Sequence, residues 1–167
     1  MKTVTASKKN DIGRAIVNPL QLEIYPGSHV LRQTAHPIEV FGNDLRLLAG
    51  LMLNFMRKYN RIGLAAPQIG LSHRIIVVEL NGQSYCVVNP VINLASDWDI
   101  MEEGCLSLHG KTVNVKRRKH AQIHGQDTNG KAVSLLATGL LARVFQHEID
   151  HLDGKMICDY EAQGVGQ

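Results

Sequence analysis

Hydrophobic positions recur along this chain with two different periods. From about residue 44, Leu48, Leu51, Met52, Phe55, Met56 and Tyr59 return every three or four positions, the spacing of one helix face. Asn43 or Asp44 is placed to cap that helix, and "YNRIG" (59–63) ends it. The pattern then shortens to apolar runs. "HRIIVVEL" (73–80) and "QSYCVVNP" (83–90) read as two strands joined by a tight turn at Asn81-Gly82. A second Asn-Gly pair, Asn129-Gly130, joins "KHAQIHGQ" (119–126) to "KAVSLLA" (131–137) in the same way. Helical spacing returns from Gly139 to Leu152. There Leu140, Leu141, Val144, Phe145, Ile149 and Leu152 cover roughly half the circumference, at about 100° per residue. So wide a stripe predicts a helix buried against sheet on much of its surface, with Gly154 as its stop. Hairpins rather than alternating βα units predict an α+β fold, with antiparallel β-sheets surrounding a central helix. Repeats, linkers and low-complexity tracts are absent from the sequence.

Composition narrows the function classes. The 167 residues, 44% hydrophobic and 20% charged, are those of one globular domain with a real core. No apolar run approaches the roughly 18 residues of a membrane span, so no membrane association is expected. A net charge of +3 permits contact with nucleic acid without arguing for it, and no specific nucleic-acid partner is expected. The one basic run, "KRRK" at Lys116 to Lys119, reads as a solvated face. Cys86, Cys105 and Cys158 are odd in number and unpaired in spacing, which points to a reducing compartment and a cytoplasmic protein. Residues 1–18 carry four basic residues and no hydrophobic segment, and read as a flexible N-terminal arm. Were they instead a transit peptide, the location would be an organelle matrix or stroma. Residues 19–160 form the single domain, and 161–167 a short C-terminal tail.

The candidate chemistry sits on the last helix. "HEIDH" places His147 and His151 at i and i+4, on one face, with Glu148 beside the first. Both histidines lie along the edge of the apolar stripe, so they are expected to be partly buried and to need partners. Two histidines do not complete a metal site. Peptidases of the longer pattern HExxHxxGxxH take a third histidine after the glycine, but here Gly154 is followed by Ile157 at that position. Downstream, Glu161 is the only acid beyond Asp159. The upstream stretch "EEGCLSL" (102–108) offers Cys105 as a candidate soft ligand. A lone cysteine is also commonly a small buried hydrophobe, which is the reading for Cys86 and Cys158. A thiolate with two imidazoles leaves a fourth position open for water, and such ligands suit Zn, Fe(II), Co or Ni.

Three motifs in order resemble the peptide deformylase family: "RIGLAAPQ" (61–68), "EGCLS" (103–107) and "QHEIDHL" (146–152). The similarity runs from about "LEIYPGSHVLR" to Asp159. The resemblance implies a deformylase-like fold, and removal of the N-formyl group from the initiator methionine of new polypeptides, with release of formate. It implies Cys105, His147 and His151 as ligands of one divalent metal, commonly Fe(II) and replaceable by Zn, Ni or Co. Glu148 would be the general base, with Gln68 and the Leu106 N–H holding the oxyanion. Ile62, Gly63, Gly104, Leu140 and Val144, with the His147 ring, would bind substrate, and Glu103 with Arg117 would form a supporting ion pair. The partners would be N-formylmethionyl nascent peptides and, transiently, the ribosome. The chain departs from the family pattern at Arg61, where the motif has glycine, and at Leu108-His109, where it has an apolar residue and proline. It also leaves no room for the C-terminal helix that some members use at the ribosome. The alternatives are a deformylase-like metalloprotein with altered or lost substrate, an HExxH metallopeptidase, or a metal-free binding module.

Overall fold

The fold is taken from a computed structural model, which describes residues 4–161 apart from Ser96, without the side chains of residues 4–10. The expected helix is present as α2, Asn43–Lys58. It starts one residue early: Gly42, at φ 126°, is the capping position, and neither Asn43 nor Asp44 caps it. Its inward face is Leu45, Leu48, Ala49, Met52, Phe55 and Met56. The segment expected as a loose arm instead begins with helix α1, Val4–Val17. Ile12 and Ala15, three apart, pack it against the core, so a short apolar face outweighs the polar composition. Of the C-terminal tail expected at 161–167, residues 162–167 lie outside the described residues.

Strand β1 is Gly63–Ala65, β2 is Ile75–Leu80 and β3 is Gln83–Leu94. The β2–β3 turn has Asn81 at φ 52° and Gly82 at φ 77°, the left-handed pair that a two-residue hairpin requires. Strand β3 continues four residues past the Pro90 that seemed to end it. The pairing with the next strand shifts between Val88 and Val91, and proline is tolerated at such a bulge. Asn89 there substitutes for ladder bonds: its side chain accepts from Ile38 N–H and donates to Ile38 C=O, both at 2.8 Å. Strands β4, Trp98–Gly104, and β5, Thr112–Arg118, form a separate two-stranded sheet. Strands β6, His120–Gln126, and β7, Ala132–Thr138, form the second expected hairpin. Its turn is longer than a two-residue one, with Asp127 Oδ1 accepting from the N–H groups of Asn129 and Lys131.

The larger sheet has the order β1-β2-β3-β6-β7, antiparallel throughout. Both its faces are covered. Ile75 and Val77 of β2 face the α2 cluster, while Ile76 and Val78 face the opposite cluster built on helix α3, Gly139–Leu152. Phe145 and Leu152 of α3 are fully buried there. The smaller sheet covers another flank of α3, with Arg143 of the helix donating to Val115 C=O at 2.8 Å. Strongly buried on several sides, α3 is the central helix that the wide stripe predicted. A last short helix, α4, is Ile157–Glu161. The expected solvated face at "KRRK" is only partly one. Strand alternation turns Arg117 inward to 3% exposure, while Lys116 and Lys119 stay exposed.

Candidate active site

His147 and His151 stand one turn apart on α3, with their Nε2 atoms 3.2 Å apart. Cys105 follows the end of β4 and opens a 3₁₀ turn, Leu106–Leu108, which brings its Sγ within 3.3 Å of His151 Nε2. The three donor atoms all lie within 4.8 Å of one another. Two nitrogens each about 2.0 Å from a tetrahedral ion would sit about 3.3 Å apart, so the spacing suits one shared metal. The far side of the His147 ring supports this orientation. His147 Nδ1 is 2.9 Å from Glu103 Oε2, the kind of contact that fixes a ligand imidazole. His151 Nδ1 is buried and has no hydrogen-bond partner among the described residues. Burial opposes charge on His147, but hydrogen bonds with Cys105 and Glu103 outweigh it and raise the imidazole to about 10. His151 goes the other way, held well below the ordinary imidazole range by burial and then by the charge on His147.

Glu103 anchors that arrangement. Arg117 grips its two oxygens from Nε and Nη2 at 2.7 and 3.0 Å, and Arg143 donates to Oε1 at 2.6 Å. Arg117 also reaches Asp150 at 2.7 Å, where the Tyr160 hydroxyl donates at 2.6 Å. Burial pushes the Glu103 carboxyl up, yet the His147 and Arg117 contacts hold it down at about 2. The resemblance marked Glu103 and Arg117, but Arg143 and Asp150 were missed. At about 100° per residue Arg143 falls outside the apolar stripe, so only the structure shows that it is buried and needs a partner.

Glu148 has the opposite surroundings. It is 4% exposed, its Oε2 has no hydrogen-bond partner among the described residues, and burial pushes it up to about 7. Its carboxylate lies against Gly63. A Cβ on Gly63 would overlap Glu148 Oε1 and stand 2.8 Å from Val144 Cγ1, so only glycine lets β1 pass this close to α3. Gly104 differs, since a Cβ there would meet Thr112 at an ordinary 3.7 Å.

Gln68 occupies a 3₁₀ turn, Ala66–Ile69, directly after β1. Its side-chain oxygen accepts from Ala65 N–H at 2.9 Å, which turns its Nε2 to the site, 3.6 Å from Cys105 Sγ. One extended segment ties the two turns together: Glu23 N–H donates to Gln68 C=O at 2.8 Å and Tyr25 N–H to Ser107 C=O at 2.9 Å. The Gln68 amide and the Leu106 backbone are therefore held in fixed relation.

These groups open onto a cleft of about 220 Å³. Ile62, Gly63, Gln68, Gly104, Cys105, Leu106, Leu140, Val144, His147 and Glu148 all line it, while His151 is buried and does not. Met101 and Glu102 complete one wall and were not foreseen. Arg61 stands at the mouth. His109 is exposed, in a left-handed turn at φ 42°, and does not join the ligand cluster. The downstream positions supply no ligand: Ile157 is 2% exposed in a core cluster with Leu31 and Met156, and Glu161 pairs with Lys111 at 2.7 Å. Cys86 and Cys158 are free and half-buried, Cys86 with its thiol pushed up to about 12 by burial. Among the described residues no helix is long and apolar enough to cross a membrane.

Known proteins resemble this chain in sequence and fold. A family model described as polypeptide deformylase matches residues 20–164. The peptide deformylase of Thermodesulfovibrio yellowstonii is 43% identical over 145 residues, covering 84% of this chain and 87% of that protein. The crystal structure of peptide deformylase from Thermotoga maritima superposes with a TM-score of 0.82 at 36% identity, covering 86% of this chain and 97% of that one. A peptide deformylase from Synechococcus elongatus, solved in complex with actinonin, gives 0.81 at 39% identity, over 85% and 78% of the two chains. The chain belongs to the polypeptide deformylase family.

Proposed function

We propose that this deformylase removes the formyl group from the initiator methionine of nascent polypeptides through the residues that line its cleft. The observation that carries this reading is the convergence of Cys105, His147 and His151 beside the unpartnered carboxylate of Glu148. Cys105 Sγ and the two Nε2 atoms would hold one divalent ion, Fe(II) as the native metal, with Zn, Ni or Co able to replace it. Such an ion lowers the pKa of water toward about 7 and polarises a carbonyl oxygen. Glu148 takes the proton of the attacking water and passes it to the departing amine nitrogen, releasing formate and a free methionine amine. Its pKa of about 7 suits both halves of that transfer. The Gln68 amide and the Leu106 N–H face the developing oxyanion, at a contribution of about 3 kcal/mol each. Ile62, Leu140 and Val144 give the methionine side chain apolar surface. The substrate class implies transient contact with the ribosome and a cytoplasmic setting.

Protein loaded with Fe(II) or Ni is expected to bind one ion per chain and to release formate from a formyl-Met-Ala peptide. Cys105→Ala is expected to lose both properties. Failure to release formate from several formyl-Met peptides, with metal bound, would overturn the reading. Cleavage of internal peptide bonds would favour the metallopeptidase alternative, and absence of bound metal a binding module.

A further inference from the structure

We propose that Arg61 reads charge in the peptide beyond the methionine and favours substrates with an acidic residue there. This rests on the deformylase reading above. The side chain leaves from a fixed point. Asn60, at φ 51°, turns the chain out of α2, with Asn60 N–H bonded to Arg57 C=O at 2.9 Å and Arg61 N–H to Met56 C=O at 3.1 Å. From there the guanidinium crosses the mouth of the cleft. Its Nη1 lies 3.9 Å from the position of a Cβ on Gly104, which belongs to the opposite wall, β4. Arg32, Arg57, Arg74, Arg117 and Arg143 each pair with a carboxylate. The Arg61 guanidinium has no hydrogen-bond or ion-pair partner among the described residues, although it lines the cleft.

The path of a substrate brings it to this group. β1 is an edge strand of the larger sheet. Ile62 C=O accepts from Glu79 N–H on the β2 side at 2.9 Å, and Ala65 N–H turns away to Gln68. Antiparallel alternation leaves the Gly63 N–H and C=O facing the cleft, where an extended peptide can add as a strand. β1 runs from Arg61 toward Gln68. A peptide whose formyl end lies by Glu148 and Gln68 therefore carries its following residues back past Gly63 to Arg61. A carboxylate there would give the guanidinium a charge-assisted partner. Glu102, exposed on the opposite wall, is a negative charge placed to act the other way.

The test compares kcat/KM for formyl-Met peptides carrying Glu, Gln or Lys at the second or third position. Amide-capped and free-acid forms separate a side-chain carboxylate from the chain terminus. The wild-type enzyme is expected to favour Glu over Lys by about fivefold in the amidated series at low salt. That ratio should fall toward one as salt approaches 1 M, where the screening length is about 3 Å. Arg61→Gln should abolish the ratio, Arg61→Glu should invert it, and Glu102→Gln should leave a ratio at least as large as wild type. The proposal is overturned by equal ratios in wild type and Arg61→Gln, by a ratio that responds only to Glu102→Gln, or by a response confined to free-acid peptides. A charge-blind enzyme that still releases formate defeats this proposal alone. No formate from any peptide, the neutral Gln series included, defeats the deformylase reading with it.

Discussion

Glu103 and Glu148 lie on the same cleft, at 7% and 4% exposure, and their surroundings drive them in opposite directions. Glu103 receives two arginines and the His147 ring and is held at about 2. Glu148 receives no partner on Oε2, and burial raises it to about 7. Equal burial thus yields a permanent anion in one place and a proton carrier in the other. What decides between them is the supply of hydrogen-bond donors, because desolvation alone penalises either carboxylate. In the proposed mechanism the anion would orient a ligand histidine, and the carboxyl that titrates near neutrality would face the reacting atoms.

Replacing each carboxylate by its neutral amide separates the two roles. Glu148→Gln is expected to lower kcat by about 10²–10⁴-fold, the usual worth of a positioned acid–base group, with metal content unchanged. Steady-state formate release with metal analysis checks this, and a variant within tenfold of wild type would remove Glu148 from proton transfer. Glu103→Gln should act first on the fold. It leaves Arg117 and Arg143 buried beside a neutral group, a type of loss that costs about 3–5 kcal/mol. Denaturant unfolding of the two variants should therefore show a large drop for Glu103→Gln and none for Glu148→Gln. Metal affinity should also weaken for Glu103→Gln, by about 10–100-fold, because His147 loses its orienting contact.

The same contrast marks how far the sequence could be read. Glu148 was legible because its role is local: the i, i+4 spacing of its helix and the apolar stripe of α3 appear within fourteen consecutive residues. Both Asn-Gly hairpins, the α3 boundaries and the antiparallel α+β class were legible for the same reason, though the second turn is longer than its Asn-Gly pair. Glu103 drew its meaning from a resemblance, because its partners lie on β5 and α3 and no short-range pattern connects them. Arg143 was hidden as a polar residue inside a helix read for its apolar ones, and Asp150 as a spacer within "HEIDH". The β4–β5 sheet escaped because Trp98, Ile100 and Met101 are exposed and leave no clean alternation. In α1, a face of few apolar residues was outweighed by lysines. What long-range contact decides, a short window does not display.

A further effect concerns pH, and there the two carboxylates should differ in sign. The Glu148 carboxyl rises from an ordinary 4.5 to about 7 on folding, so the folded state binds its proton more tightly than the unfolded chain. The stability linked to this group is complete below pH 4.5 and is lost as pH rises to about 7. A shift of that size corresponds to about 3 kcal/mol. Glu103 moves from 4.5 down to about 2, so its contribution is complete above pH 4.5 and is lost as pH falls toward 2. Denaturant melts of metal-stripped wild type and Glu148→Gln, taken from pH 4 to 8, isolate the first term because the other titrating groups are common to both. The variant is expected to match the wild type near pH 4 and to exceed it by up to about 3 kcal/mol at pH 8. Parallel curves across that range would mean that the folded protein stabilises the Glu148 anion after all, and the distinction between the two carboxylates would fall with it.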